Sequence, residues 1–490
     1  MRVALIQTPW TEASEGEYAA VYKSYTVFPP LGLMSLSAAM EEAGHPVDLI
    51  DLDAEPVELA ALCERIRAFK ADVVGLTATT PVAPLAEAYA KALKKRLGLP
   101  IVLGGPHVTA VREAALGPDV DFAVMNEGER TFPEFAREFE GGRDFAKVDG
   151  LIHRAADGSP RVNRPRPFIE DLDVLPFPSR EKVPPSRYAF EVPGKGVVPV
   201  PTVEFSRGCP FHCVFCAERL NVGSRLRKRS PRRIVDEMLG MKERWGTDHF
   251  SMLASTLTAD REHVKAFCSE LIARRAGVTF EGQTRANILD PELLALMRRA
   301  GLVRLTLGLE SADPEVLRLA RKGVSTDELR TALRACRELG VATQVSAMIG
   351  NPGDTVETVL ATARFVRDTP EIMYSPFSIA IPYPGTELHA MAAEGRHGLK
   401  LLQGDLRRFS RYAGGMMEVG GLAPADLLKL QRRALFIAHS TPSKVWGLLR
   451  HFGVLNMARI GLVLLRGLAS SRLGARESIL ARLERETSEL

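Results

Sequence analysis

Short apolar runs alternate with helical patterns from the first residues of the chain. Val3–Ile6, Pro46–Ile50, Val73–Thr77, Ile101–Leu103 and Phe122–Val124 have the length and composition of strands. Between them, Leu31–Glu42, Pro56–Phe69, Pro84–Leu97 and Phe132–Phe139 carry helical periodicity. This alternation predicts an α/β domain over 1–145, a doubly wound parallel sheet with helices on both faces. Ligands of such sheets bind beyond the carboxyl ends of the strands. The polar turns fall there: Thr77, Ala78, Thr79 and Thr80 after the third strand, Gly104, Gly105, Pro106 and His107 after the fourth, and Glu127, Gly128 and Glu129 after the fifth. No G-x-G-x-x-G follows the first strand, so the dinucleotide fingerprint is missing. Each turn taken singly also reads as an ordinary strand-to-helix connection.

Residues 146–198 are rich in Pro, Gly and charge and predict a bridge. From 199 to 400 a second alternation begins. Strands are predicted at Thr202–Phe205, His249–Leu253, Thr279–Thr284, Leu302–Leu309, Thr343–Ile349 and Met373–Ile381. Helices are predicted at Pro231–Trp245, Arg261–Arg275, Pro291–Ala300, Thr326–Leu339 and Val356–Asp368. Six strands alternating with five helices match a partial (β/α)6 barrel, whose site gathers at the carboxyl ends of the strands. Residues 401–490 read as a helical region. Pro424–His439 is one helix, and Lys444–Leu468 mixes Leu, Trp and Phe with Arg in a basic amphipathic pattern. Such a stretch either caps the barrel or lies on a membrane surface.

Composition adds limits. Hydrophobic content of 46% and charged content of 25% are those of an ordinary soluble protein, and a net charge of +4 over 490 residues argues against a dedicated nucleic-acid binder. No apolar stretch reaches 18 residues. Cys63, Cys268 and Cys336 are scattered, which fits a reducing, cytoplasmic compartment. The other three cysteines are concentrated. Cys209, Cys213 and Cys216 stand in the run 206–216 with the spacing C-x3-C-x2-C, directly after a predicted strand. Random placement of six cysteines gives this spacing about once per thousand chains of this length. Three such thiolates can hold three irons of a 4Fe–4S cube and leave the fourth iron without a protein ligand. Half a zinc site is the alternative, but His212 is badly placed to close a tetrahedron with its neighbours.

The Phe28-Pro29-Pro30-Leu31-Gly32-Leu33 opening, the Gly104-Gly105-Pro106-His107 and Glu127-Gly128-Glu129 turns, and the cysteine loop together resemble the cobalamin-dependent radical S-adenosylmethionine enzymes. The resemblance covers about residues 1–400. It implies a Rossmann-like cobalamin-binding domain and a radical S-adenosylmethionine barrel, with a 4Fe–4S cluster, S-adenosylmethionine and cobalamin as cofactors. It implies cobalamin contacts from Thr77, Thr79, Thr80, Gly104, Gly105, Pro106, His107, Glu127, Gly128 and Glu129. Phe215 resembles the aromatic that packs near the adenine of S-adenosylmethionine, with core packing the alternative. Gln283 and Arg285 end the third barrel strand. Gly308-Leu309-Glu310-Ser311 matches the family's G-x-E-S, where Glu310 and Ser311 bind ribose or the methionine ammonium by charge-assisted hydrogen bonds. Gly350 opens a turn resembling G-x-P-G-E-T, and Tyr383, in Pro382-Tyr383-Pro384-Gly385-Thr386, is a candidate to face substrate. The D-x-H-x-x-G motif of many cobalamin domains is absent, and neither His45 nor His107 has the context of an axial ligand, so the resemblance implies base-off cobalamin. At the second strand end, Ala254-Ser255 stand where the family places acidic residues, leaving Glu310 to carry more of the grip on the ammonium.

The resemblance implies that the open iron chelates S-adenosylmethionine and that one-electron cleavage gives a 5′-deoxyadenosyl radical. A methyl group carried by cobalamin then passes to an unactivated carbon of a small-molecule substrate: an isoprenoid or other apolar lipid, a tetrapyrrole, or a natural-product intermediate. An external donor such as a flavodoxin or ferredoxin supplies the electron. Two other functions use the same parts: cyclisation, ring rearrangement or oxidation without methyl transfer, and a cobalamin- and cluster-binding sensor or electron-transfer protein.

Overall fold

The computed structural model describes residues 1–9, 28–192, 194–402, 406, 409, 416–447, 449 and 479–488. The first sheet has seven strands in the order β2-β1-β3-β4-β5-β6-β7. These are β1 (Val3–Gln7), β2 (Val47–Asp51), β3 (Val73–Thr77), β4 (Ile101–Gly104), β5 (Phe122–Val124), β6 (Leu151–Arg154) and β7 (Pro160–Val162). β1 to β5 run parallel, and β6 and β7 add antiparallel at the edge. The segment expected only to bridge thus supplies two strands of the sheet.

β1 explains why the parallel strands read as unbroken apolar runs. Ala4 and Ile6 pack into the core on one face, and Val3 and Leu5 into the core on the other. Both faces are covered, so alternation disappears. The chain leaves β1 for β2 on one side and later crosses to β3 on the other. The direction of winding therefore reverses between β1 and β3, and the crevice at their carboxyl ends is where such a sheet receives a ligand.

The second sheet is entirely parallel, with six strands in chain order: Thr202–Glu204, His249–Leu253, Thr279–Thr284, Leu302–Glu310, Ala342–Ile349 and Phe377–Ile379. Its first and last strands do not pair, so it is an open partial barrel. The sequence signals for its helices are the caps. Ser230 accepts from the Arg233 N–H ahead of Pro231–Trp245, and Ser325 forms a capping box with Glu328 ahead of Thr326–Glu338. The short helices Pro314–Leu319 and Glu387–Ala393 were not legible as separate elements.

Of the C-terminal region, Pro424–His439 lies against the helix Val356–Asp368 and the last barrel strand, where Gln431 donates to the Phe377 carbonyl at 2.6 Å. Ile479–Ser488 instead packs on the first domain: it lies along Ala83–Leu97, buries Leu483, and brings Glu486 within 3.2 Å of Arg96. Residues 448 and 450–478, most of the basic amphipathic stretch, lie outside the described residues. Among the described residues no helix is long and apolar enough to cross a membrane.

Candidate active site

An open cavity of about 390 Å³ lies at the switch point of the first sheet. One wall is the carboxyl edge of that sheet: Gln7 of β1, Gly75 and Thr77 of β3, Gly104 and Gly105 after β4, and Glu127 to Glu129 after β5. Pro30 to Leu33 form a second wall. The opposite wall belongs to the barrel and includes Glu204, Ser206 and Arg207 before the cysteines, Glu218 and Asn221 after them, and Leu253 and Ser255 at the second strand end. Gly105 has φ +100°, and a Cβ there would stand 2.7 Å from the Ala78 carbonyl and the Thr77 hydroxyl. Only glycine lets the backbone close over β3 in this way.

Thr77, Gly104, Gly105, Pro106, Glu127, Gly128 and Glu129 therefore stand where the sequence placed them. Three expected residues do not. Thr79 is exposed away from the cavity. Thr80 and His107 are buried against each other, with Nδ1 of His107 3.3 Å from the Thr80 hydroxyl. Burial holds the His107 imidazole below its usual pKa. They meet beside the turn, outside the residues that line the cavity.

Glu127 and Glu129 line the cavity, but Arg207 holds their carboxylates. Arg207 donates to Glu127 at 3.1 Å, to Glu129 at 2.7 Å and to Glu204 at 2.7 Å, and all four side chains are buried. Arg227 donates to Glu127 at 2.6 Å, and Nε of Arg229 lies 3.3 Å from Glu204. Three carboxylates thus meet three guanidinium groups. Burial pushes Glu204 up, but Arg207 and Arg229 outweigh it and hold its carboxyl below the usual range. The network fastens the turn after β5 to the strand that leads into the cysteines. Arg207, Arg227 and Glu204 were not singled out from the sequence. The available signal was an arginine two positions ahead of the first cysteine.

The cysteine loop is shaped by Gly208, whose φ is +93° and whose Cβ would fall 2.0 Å from the Arg225 carbonyl. The loop is tied down by Cys209 N–H to Gly223 O at 3.2 Å, by Val214 N–H to Ala320 O at 3.2 Å, and by Leu388 N–H to Val214 O at 2.9 Å. Cys209 and Cys213 are half-buried and Cys216 is exposed. Although its side chain reaches solvent, desolvation within the loop pushes the Cys216 thiol up to about 11, against the Glu218 N–H that bonds it, and the charges of Glu218, Cys213 and Cys209 add to the rise. Thiols lose their protons on binding an iron–sulfur core, which offsets that rise. A cube gives each thiolate its own iron, so its ligands stand farther apart than those of one ion. Among the described residues no trio of His, Cys, Asp or Glu is drawn together for a single metal ion. The thiols fit a cluster.

The barrel-end residues surround this loop. Arg285 is buried; its guanidinium stacks on Phe211 at 3.9 Å, lies 3.5 Å from Sγ of Cys213, and donates to the Lys322 carbonyl. Gln283 donates to the Ala254 carbonyl at 3.2 Å. Glu310, at φ +61°, holds a left-handed conformation that non-glycine residues rarely adopt. It sits at a strand irregularity and accepts a hydrogen bond from Nζ of Lys322 at 2.8 Å, both groups buried. A buried carboxylate beside a buried ammonium suits the charged amino-acid end of S-adenosylmethionine. Lys322 was another residue missed, since nothing in its sequence neighbourhood marks it. Ser311 is turned away: its hydroxyl lies 3.4 Å from that of Thr362 and accepts from Asp313 N–H. Phe215 packs against the barrel core. Gly350 is buried in its turn, where its N–H donates to Asp354 at 2.9 Å. Tyr383 is half-buried in an apolar group with Ile381, Phe409 and Met416.

Comparison with known proteins agrees with this anatomy. Residues 203–366 match the Radical SAM superfamily, and residues 19–136 match the B12 binding domain. The chain is 32% identical to an uncharacterized methyltransferase, PH0819, of Pyrococcus horikoshii, over 74% of this chain and 78% of that one. It is 33% identical to the anaerobic magnesium-protoporphyrin IX monomethyl ester cyclase of a Synechocystis species, over 65% of this chain and 64% of that one. The fold superposes with a TM-score of 0.70 and 19% identity on the radical S-adenosylmethionine methyltransferase TsrM of Kitasatospora setae, solved with cobalamin and a [4Fe-4S] cluster, covering 96% of this chain and 99% of that one. A B12-binding sheet whose cavity is closed by the cysteine loop of a radical S-adenosylmethionine barrel places this chain in the family of cobalamin-dependent radical S-adenosylmethionine enzymes, whose cofactors are a 4Fe–4S cluster, S-adenosylmethionine and cobalamin.

Proposed function

We propose that this enzyme is a C-methyltransferase acting on an unactivated carbon of a small molecule. One observation carries the reading. The glycine-walled cavity of the first sheet and the cysteine loop of the barrel share a wall, from Glu204 to Arg207 and from Glu218 to Val222. A group held on the sheet and a substrate held in the barrel mouth would face each other there without an intervening layer. When bound, the cluster, S-adenosylmethionine and cobalamin supply a carbon radical and a methyl group to place on it.

The chain's own residues bind, orient and shield. Cys209, Cys213 and Cys216 hold the cluster by three corners. Gln283 and Arg285, with the Glu310–Lys322 pair at the fourth strand end, would border the methionine end of S-adenosylmethionine. Thr77, Gly104, Gly105, Pro106 and Gly128 form the surface against which cobalamin lies. Arg207, with Glu127 and Glu129, fixes the distance between the two halves and fills their junction, keeping water out of it. Tyr383, in its apolar group at the sixth strand end, would touch substrate. That apolar setting supports a substrate with an extended hydrocarbon or ring surface, such as a lipid, a tetrapyrrole or a natural-product intermediate. The exposed position of Cys216 supports delivery of the electron by an external flavodoxin or ferredoxin.

The test is an anaerobic assay of reconstituted protein with candidate substrates. Methyl transfer predicts 5′-deoxyadenosine and S-adenosylhomocysteine in step with methylated product. The similarity to the Synechocystis cyclase favours a second reading, ring closure without methylation. That reading predicts product and 5′-deoxyadenosine with no S-adenosylhomocysteine.

A further inference from the structure

Among the described residues, one carboxylate of the cavity is answered by no cation. Glu127, Glu129 and Glu204 are matched by Arg207, Arg227 and Arg229, and Glu310 by Lys322. Glu218 is different. It lines the cavity, and its hydrogen-bond partner among the described residues is the Ser255 hydroxyl, 2.8 Å away. A carboxylate has about four acceptor positions, and a hydroxyl fills one. One turn along the same short helix, Asn221 also lines the cavity. Its amide donates to the Ala217 carbonyl at 3.3 Å, which leaves Oδ1 as a buried acceptor without a partner. Ser255 completes the group: its hydroxyl donates to Glu218 and keeps lone pairs of its own. Glu218 and Ser255, two acceptors on the cavity wall, therefore stand beside a third, the buried and unmatched Oδ1 of Asn221, and the carboxylate meets no cation among the described residues.

We infer that Glu218, Asn221 and Ser255 form an ammonium-binding subsite, and that it takes the α-ammonium of S-adenosylmethionine. A primary ammonium is the complement of such a site, with three N–H donors and a positive charge. The place favours this ligand over a substrate amine. Glu218 follows the third cysteine by two positions, and its backbone N–H bonds Sγ of Cys216. Ser255 ends the second barrel strand, where the sequence lacks the acidic residues of the family pattern. The structure returns a carboxylate to that position from a different element, the helix after the cysteine loop. Glu310, to which the sequence assigned this task, is already paired with Lys322. The inference rests on the cluster binding S-adenosylmethionine and is indifferent to whether methylation or ring closure follows.

The test uses full-length protein loaded with cluster and cobalamin. S-adenosylmethionine is titrated into the reduced protein while the change in the cluster's electron paramagnetic resonance spectrum is followed. A response in the wild-type protein establishes that the ligand reaches the cluster; its absence would overturn the underlying assignment rather than the subsite. Glu218→Gln keeps the shape, the Ser255 contact and the backbone bond to Cys216. It is expected to weaken S-adenosylmethionine by about tenfold or more, the scale of one charge-assisted hydrogen bond, with iron and corrinoid content unchanged. A desamino analogue, which lacks the ammonium, is expected to bind wild type and E218Q equally. Asn221→Leu, which leaves the carboxylate in place, is expected to weaken S-adenosylmethionine and not the analogue. The subsite is overturned if E218Q binds S-adenosylmethionine as wild type does, if both ligands weaken together, or if E218Q loses corrinoid while keeping S-adenosylmethionine.

Discussion

Replacing Arg207 by methionine removes one cation from a buried group of six charges. In the native chain the sum is balanced: Glu127, Glu129 and Glu204 against Arg207, Arg227 and Arg229. Methionine fills most of the volume and none of the hydrogen bonds. Glu127 keeps Arg227 and the Ile169 N–H, and Glu204 keeps Arg229. Glu129 keeps no ion pair among the described residues, where Arg207 is the cation its carboxylate meets. A buried carboxylate stripped of its partner costs about 3–5 kcal/mol. Denaturant unfolding of R207M against wild type measures that loss. The companion variant is R207M/E129Q, which restores the charge balance and is expected to recover more than half of it. A deficit below about 1 kcal/mol, or one that E129Q fails to relieve, would refute the view that this network is a charge-balanced fastening between sheet and barrel.

Other consequences are as direct. Cys213→Ala should abolish cluster loading, read as iron content and visible absorption, and leave corrinoid binding intact, because the cobalamin wall is built from other elements. Arg285→Gln removes a cation 3.5 Å from Sγ of Cys213, so the cluster's reduction potential measured by spectroelectrochemistry should fall, and fall less in Arg285→Lys. Asp354 is pushed up to about 6 by burial, against the pull of the hydrogen bonds it accepts from Thr358, Asn351 and Gly350. Its protonated form is favoured by folding, so this contribution to stability is full below about pH 4 and is lost by about pH 6, a fall of about 3 kcal/mol. Asp354→Asn should remove that fall in denaturation measured across the same window.

The elements were legible because each has a local cause. The boundaries of β3 and β5 follow from runs of apolar residues buried on both faces, and the barrel helices start at Ser230-Pro231 and at Ser325 with Glu328, where the caps are written in adjacent residues. The cysteine loop was legible for the same reason: its ligands lie within eight residues of one another. The edge strands β6 and β7 were hidden by Gly, Pro and charge, since an edge strand needs only one paired side and tolerates residues that a central strand does not.

What the sequence did not yield are pairings made across the junction. Arg207 and Glu129 are separated by 78 residues, and neither position signals the other. The turn after β5 read as a ligand-binding turn because glutamate beside glycine at a strand end suits that role; it does line the cavity, and its carboxylates also pair with an arginine from the next domain. The same logic pointed to Glu310 for the ammonium grip, whereas the subsite we infer lies at Glu218. A missing carboxylate at Ala254-Ser255 looked like a loss to be made up by the nearest acid in the family pattern, Glu310. In three dimensions Lys322 claims Glu310, and Glu218 arrives beside Ser255 from the cysteine loop. Charges in a closed junction are assigned by balance within a few ångströms, so a motif fixes which residue type stands at a strand end, and the fold decides whether its charge remains available to a ligand.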